Sequence, residues 1–246
     1  MKLLIRPTIL ALLLIGAASA PARGLEQLDY GIYRLDFKQI DDLLQLDTTS
    51  VIRVLVVERQ DSKAISGSHV AITRKWVESG GVLWAVGDGL RSTLAQQIAR
   101  FTTSDFGFKK AGSTKTGGEL VVRGASPKLV IRDHALTAGV DQLYLFPHHR
   151  FDGTTGAEPL VDMTDSKGNQ GIVLAAVRVG SGLVVLDGTA RTKGGFLSIG
   201  GMPGFDPAHP NATHQSGTWN NYDWSRLMAN ARSHADSALA PTASGL

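Results

Sequence analysis

The 246-residue chain contains no cysteine, which excludes a thiol nucleophile, a thiolate metal site and any disulfide bond. It has no dense cluster of lysines and arginines, so the electrostatic footprint of nucleic-acid binding is missing. Beyond the N-terminus, no apolar run is long enough to cross a membrane. What is present, 43% hydrophobic and 19% charged residues with 28 glycines, is typical of a globular domain rather than a disordered, collagenous or coiled-coil chain.

The first 22 residues indicate an export signal. Lys2 and Arg6 precede an uncharged run, Thr8–Ala20, that ends in small residues. A membrane anchor is the alternative, but this run is shorter than the roughly 20 apolar residues that a spanning helix needs. We therefore predict that residues 1–22 are removed and that the protein is periplasmic or secreted, with no membrane span. Loss of Lys2 and Arg6 leaves 23 basic against 22 acidic residues, so the mature chain is nearly neutral.

Hydrophobic patterning in the first half predicts a β-α-β unit. Val51–Val57 and Val82–Val86 are nearly continuous apolar runs, as strands covered on both faces require. Between them, Ser66 or Ser68 is placed to cap a helix that ends at Gly80–Gly81. Two apolar strands joined by a helix favour a parallel sheet.

The second half has a different pattern, which predicts an antiparallel meander. Pro159–Met163, Ile172–Val179 and Leu183–Leu186 are strand-like and are separated by hairpin-type turns. Residues 188–217 are rich in glycine and proline and predict a long surface loop. An apolar stripe beginning near Asn220 predicts a closing helix.

Three motifs occur in a distinctive order: Trp76–Leu83, His134–Val140 and Gly180–Asp187. In this order they resemble the class I glutamine amidotransferase-like superfamily, and most closely a bacterial domain-of-unknown-function branch of it. The resemblance implies a single α/β domain over residues 23–238, followed by a flexible tail at 239–246. The implied fold is a flavodoxin-like three-layer sandwich with a mainly parallel central sheet and an antiparallel extension.

The same resemblance implies that the chain lacks glutamine amidotransferase activity. Active members carry a cysteine at a strand-to-helix elbow and a later His-x-Glu pair. The corresponding stretch here is Ala85–Gly89, which puts Gly87 at the nucleophile position, and the chain contains no His-x-Glu. Nucleophilic catalysis of this kind requires both a nucleophile and a base, so neither requirement is met.

Polar residues at the predicted strand ends form the candidate ligand site, because open α/β sheets bind ligands beyond the carboxyl ends of their strands. The candidates are Glu58, Arg59, Gly87, Asp88, Gly89, His148, His149 and Asp187. The structural alternative is that Arg59 pairs with Glu58, that Asp88 caps the following helix, and that the glycines only form a turn.

Paired histidines raise the question of a metal. Imidazole and carboxylate groups in the His148–Asp152 segment are suitable zinc ligands. Adjacent histidines on an extended segment face opposite ways, however, so at most one of His148 and His149 points into a given site. No His-Glu-x-x-His motif is present. We therefore predict no metal, no other cofactor and no catalytic residue, and we expect His134 to fix a turn by bonding to the backbone.

Two functional hypotheses follow. The first is an exported, catalytically inactive domain that binds a small polar ligand or an envelope protein at the strand-end crevice. The second is an exported hydrolase of unknown substrate, with or without a metal, that uses Asp88, Asp187 and either His148 or His149. A purely structural role in an envelope assembly is a third reading.

Overall fold

The computed structural model describes residues 25–29, 31–35, 41, 43–44, 46, 51–57, 65–86, 93–100, 109–110, 119–125, 128–145, 149–151, 156–164, 167–188 and 223–239. The predicted signal at 1–22, the glycine-rich loop after residue 188 and most of the predicted tail lie outside these residues. No helix within the described ranges is both long and apolar enough to cross a membrane.

The predicted β-α-β unit is confirmed. Strand β3 spans Val54–Val57, helix α1 spans Gly67–Glu78, and strand β4 spans Val82–Val86, with both strands fully buried. Ser66 is the N-cap, and its hydroxyl accepts a bond from the backbone amide of His69. The helix ends where Gly80 adopts a φ of +130°, a conformation that residues with a Cβ rarely adopt.

The described strands form one mixed eight-stranded sheet and two small two-stranded sheets. The large sheet has the order β1-β2-β3-β4-β12-β11-β10-β7, and the small sheets pair β5 with β9 and β6 with β8. The remaining strands are β1 (Leu25–Asp29), β2 (Ile32–Leu35), β5 (Lys109–Lys110), β6 (Glu119–Val122), β7 (Leu129–Ile131), β8 (Gln142–Leu145), β9 (His149–Arg150), β10 (Ala157–Thr164), β11 (Gln170–Val179) and β12 (Gly182–Asp187).

The predicted flavodoxin-like sandwich with a mainly parallel sheet is wrong. Within the described sheet, only the β2–β3, β3–β4 and β4–β12 pairings are parallel, whereas the other four are antiparallel. Short turns join β10 to β11 and β11 to β12, and such turns cannot connect parallel neighbours. The sheet is therefore mixed, and its order differs from the doubly wound order of a flavodoxin.

Helices lie on both faces of the large sheet. Helix α3 (Trp224–Leu239) packs with Val54, Val82 and Trp84 in one apolar cluster. Helices α1 and α2 (Thr93–Ala99) pack with the alternate residues of the same strands in a second cluster. The two clusters follow from the two-residue period of a strand, which sends successive side chains to opposite faces. Helix α3 begins at Trp224 rather than near Asn220.

Candidate functional site

The carboxyl ends of β3, β4 and β12 meet at one edge of the large sheet, which we call the carboxyl edge. The parallel register places Leu186 beside Ala85 and Asp187 beside Val86. Most of the predicted site residues lie outside the described part of the chain, namely Glu58, Arg59, Gly87, Asp88, Gly89 and His148. The structure therefore leaves their roles as predictions.

Asp187 is the predicted site residue that the structure describes in full. It ends β12 and is fully buried, with 0% of its surface exposed. The indole Nε1 of Trp84 donates a hydrogen bond to its Oδ2 at 3.0 Å. Since Trp84 lies beside Val185, two residues before Asp187 on β12, the indole reaches along the sheet face to the carboxylate.

Trp84 belongs to the apolar run of β4, and the structure gives its ring a role beyond burial. Its ring packs edge-to-face against Trp224 of α3, with ring centroids 6.3 Å apart. The Trp84 ring is thus held by an aromatic contact while its indole N–H donates to Asp187. A buried indole usually finds a hydrogen-bond partner, and here that partner belongs to the predicted site.

The backbone of the His149–Phe151 segment lies at the same carboxyl edge. Phe151 and Ile172 exchange two backbone hydrogen bonds, of 2.9 and 2.8 Å. Asp187 pairs with Leu174, two residues further along β11. A strand rises about 3.3 Å per residue, so the two pairings are about 7 Å apart along β11. The structure thus brings the backbone of this segment close to Asp187.

Arg150 is a buried cation that sequence reasoning passed over. It is only 7% exposed, and its Nη1 donates a hydrogen bond to the backbone carbonyl of Asn169 at 3.2 Å. Its aliphatic part packs against Gly171, where a Cβ would come within 2.9 Å of the arginine Cδ. The sequence could have indicated this residue by its position next to His149, in the His148–Asp152 segment that was considered for ligand or metal binding.

The prediction that His134 fixes a turn is confirmed. His134 caps the 3₁₀ turn at Ala135–Thr137, and its Nδ1 accepts a hydrogen bond from the backbone amide of Leu136 at 3.0 Å. Because Nδ1 accepts, Nε2 carries the proton and donates to a Glu158 carboxylate oxygen, also at 3.0 Å. His134 is thus engaged on both ring nitrogens by structural partners.

Among the described residues, no group of three or more His, Asp and Glu side chains is placed to hold a metal ion. His148 and Asp152, two members of the predicted imidazole–carboxylate segment, lie outside those residues. The question of a metal at this segment therefore rests on the sequence.

His234 on α3 predicts a pH-dependent stability. Its Nε2 donates to the backbone carbonyl of Ser181 at 3.1 Å. Burial lowers its pKa from the usual 6.5, with smaller contributions in the same direction from Arg178 and His134, although the bond to Ser181 opposes them. The unfolded chain therefore takes up this proton more readily than the folded one.

We expect stability that is present above pH 6.5 and is lost as the pH falls below it, because protonation then favours the unfolded chain. In His234→Gln, the loss between pH 6.5 and pH 5 is expected to be smaller than in the wild type. Urea unfolding at pH 8, 6.5 and 5 measures the difference. An identical pH dependence in the two proteins would contradict the assignment.

Comparison with known proteins gives no family. No family model and no curated protein sequence matches the chain. The chain aligns with a β-galactosidase from Bacillus circulans sp. alkalophilus at 10% identity and a TM-score of 0.36, over 63% of this chain and 25% of that chain. It also aligns with a β-galactosidase from Rahnella sp. R3 at 9% identity and a TM-score of 0.34, over 58% of this chain and 21% of that chain.

A third alignment is with the exo-β-1,4-mannosidase Op5Man5 from Opitutaceae bacterium strain TAV5, at 19% identity and a TM-score of 0.31, over 61% of this chain and 25% of that chain. The chain thus spans about a quarter or less of the length of each of these proteins.

The predicted amidotransferase-like resemblance is contradicted by these comparisons and is wrong: no family model matches, and the aligned structures are named as glycosidases. The motif residues instead have local explanations. Gly81 leaves room for the Trp76 ring, and Gly80 and Gly180 adopt positive φ angles at turns. His134 caps a turn. These local roles account for the motif residues without a family relationship, so their order does not identify a family.

Proposed function

We propose that this protein is exported and binds a small polar ligand at the carboxyl edge of β3, β4 and β12. Export is supported by the N-terminal sequence, in which Lys2 and Arg6 precede a short apolar run with small residues at its end. Binding is supported by one observation above the others, the fully buried carboxylate of Asp187 at the end of β12.

A buried carboxylate needs hydrogen-bond donors that an apolar side chain at the same position would not need. The Trp84 indole is one such donor, so the protein keeps a polar group in its interior at the end of β12. The neighbouring strand carries Val86 at the position level with Asp187. Ligands of open α/β sheets bind beyond the carboxyl ends of parallel strands, which is where Asp187 lies. Its burial and location together favour a role in recognition.

Hydrolysis at the same edge is the second candidate. It is favoured by the Phe151–Ile172 bridge, which brings the backbone of the His149–Phe151 segment to the edge where Asp187 lies. The glycosidase activities belong to the aligned proteins, and this candidate rests on the bridge. Its residues would be Asp88, Asp187 and His148 or His149, with one acid and one base as general acid–base catalysis requires.

Asp187→Asn tests the proposed site. The asparagine keeps an oxygen that accepts from Trp84 but removes the charge. In a thermal-shift screen of metals, nucleotides, sugars and amino acids, a ligand at one hundred times its Kd adds about 2.7 kcal/mol to the wild type. For a domain of this size that raises Tm by roughly 5–10 °C. We expect Asp187→Asn to lose most of this shift.

The matched control is Asp236→Asn, which makes the same change at a half-exposed carboxylate on α3. It should respond to the ligand as the wild type does. A screen with no stabilising compound, or an equal response from Asp187→Asn, would overturn the proposal. If the identified compound is consumed by the wild type and not by Asp187→Asn, the second candidate is correct.

A further inference from the structure

A cavity of about 490 Å³ opens on the face of β7, β10 and β11, and Asp187 is not among the described residues that line it. Its volume falls within the range typical of small-molecule sites. The residues that decide its chemistry are Lys128, Val130, Arg132, Asp162, Gln170 and Ile172. The proposed binding site at the carboxyl edge uses none of them, and the second candidate uses only the backbone bridge at Ile172.

Strand register explains why these side chains share one surface. Val130 of β7 lies opposite Asp162 of β10, and Asp162 lies opposite Ile172 of β11. These three residues form one row across the strands. A second row consists of Lys128, Thr164 and Gln170: the Lys128 carbonyl accepts a hydrogen bond from the amide of Thr164, and Thr164 lies opposite Gln170. Side chains at directly opposed positions stand on the same face of a sheet, so the two rows form one continuous floor.

Apolar residues flank the Asp162 carboxylate on this floor. Val130 on β7 is 36% exposed, and Ile172 on β11, on the other side of Asp162, belongs to the cluster that packs against α1 and α2. The alternate β7 residues, Leu129 and Ile131, are buried on the opposite face in the cluster that contains α3. A strand at the edge of the sheet thus buries one face and leaves a β-branched residue open on the other.

Charged and polar groups share this floor with Val130 and Ile172. Arg132 binds Oδ2 of Asp162 through its Nε at 2.6 Å and also through Nη2. Within the described ranges, the Lys128 ammonium and the Gln170 amide contact no hydrogen-bonding or ion-pairing side chain. Among the described residues that line the cavity, two cations therefore face one carboxylate.

We propose that this cavity binds a small organic anion, a carboxylate on a compact apolar body. The apolar body would lie against Val130 and Ile172, which removes their exposed surface from water. The carboxylate would pair with Lys128 and accept a hydrogen bond from the Gln170 amide. A cavity that combines exposed apolar side chains with a few convergent polar groups is typical of a small-ligand site.

Titration of the full chain with hexanoate and benzoate tests this inference, with hexan-1-ol and benzyl alcohol as neutral analogues of the same size. We expect at least one carboxylate to bind saturably, with methyl NMR shifts at Val130 and Ile172, and its neutral analogue to bind at least tenfold more weakly. Lys128→Gln should weaken carboxylate binding about tenfold, and Val130→Asp should abolish it.

Lys75→Gln is the matched control, since it removes an exposed lysine from α1, outside the cavity. It should bind hexanoate and benzoate as the wild type does. The inference is overturned if neither carboxylate binds, if the alcohols bind equally well, or if the shifted methyl groups lie elsewhere. Because Asp187 is not involved, Asp187→Asn should leave carboxylate binding unchanged, and the two proposals therefore fail independently.

Discussion

Replacing Gly182 with alanine is expected to destabilise the protein by about 3 kcal/mol or more, a large part of the stability of a typical domain. Gly182 is the first residue of β12, and a Cβ there would overlap the carbonyl oxygens of Val77 and Gly81. Both obstacles are backbone atoms, so no side-chain rotation relieves the overlap. Strand β12 would have to move away from α1 and β4, its neighbours in the core.

Urea unfolding of Gly182→Ala and Gly67→Ala measures this effect. Gly67 begins α1, and a Cβ at that position would meet no atom within 4 Å. The control should be as stable as the wild type or up to about 1 kcal/mol more stable, because alanine favours the helix. A Gly182→Ala protein within about 1 kcal/mol of the wild type would show that β12 is less tightly packed than the structure indicates.

The local elements of the fold were predictable because their signals are local. The apolar run Val82–Val86 predicts β4 over the same five residues, and the turns flanking β11 predict hairpins that the pairings of β10, β11 and β12 confirm. Strand β1 was missed. Its Leu25–Asp29 sequence mixes polar and apolar residues, and pairing with β2 is what makes it a strand.

The balance of parallel and antiparallel pairing was not predictable for a physical reason. Continuous apolar runs are characteristic of parallel strands, because such strands are usually covered on both faces. Strand β11 is antiparallel to both neighbours and yet buried from Ile172 to Val177. Val173 packs in the cluster of α3 and Ile172 in that of α1 and α2. A continuous apolar sequence therefore indicates a strand that is covered on both faces, and it does not indicate the direction of that strand.

At the candidate site, the sequence predicted that Asp187 lies at a strand end, but it did not predict that Trp84 donates a hydrogen bond to it. Asp187 follows an apolar strand and precedes a glycine, which marks a strand end. Its bond to Trp84 joins residues 103 positions apart and depends on the register between β4 and β12. Register across a parallel pair is set by packing over the whole sheet, so the indole donor could not be assigned from either segment alone.

Replacing Asp223 with alanine is the second change expected to have a large effect, a loss of about 3 kcal/mol. Asp223 precedes α3 and is only 9% exposed. Its Oδ2 accepts from the backbone amides of Asp141 and Gln142, both at 2.7 Å, and so joins the beginning of β8 to the beginning of α3. A hydrogen bond to a charged group contributes about 1.5–3 kcal/mol, and alanine leaves two amides without their acceptor.

Two further variants separate the possible causes of that loss. Asp223→Asn keeps an acceptor oxygen without the charge, so we expect an intermediate loss of roughly 1–2 kcal/mol. Asp236→Ala removes a half-exposed carboxylate paired with Arg53 and should cost less than about 1 kcal/mol. Hydrogen exchange at the amides of Asp141 and Gln142 should accelerate in Asp223→Ala alone among these alanine variants. Equal losses in the two alanine variants would mean that the carboxylate does not hold β8 against α3, and that apolar packing of Leu227 and Met228 anchors the helix by itself.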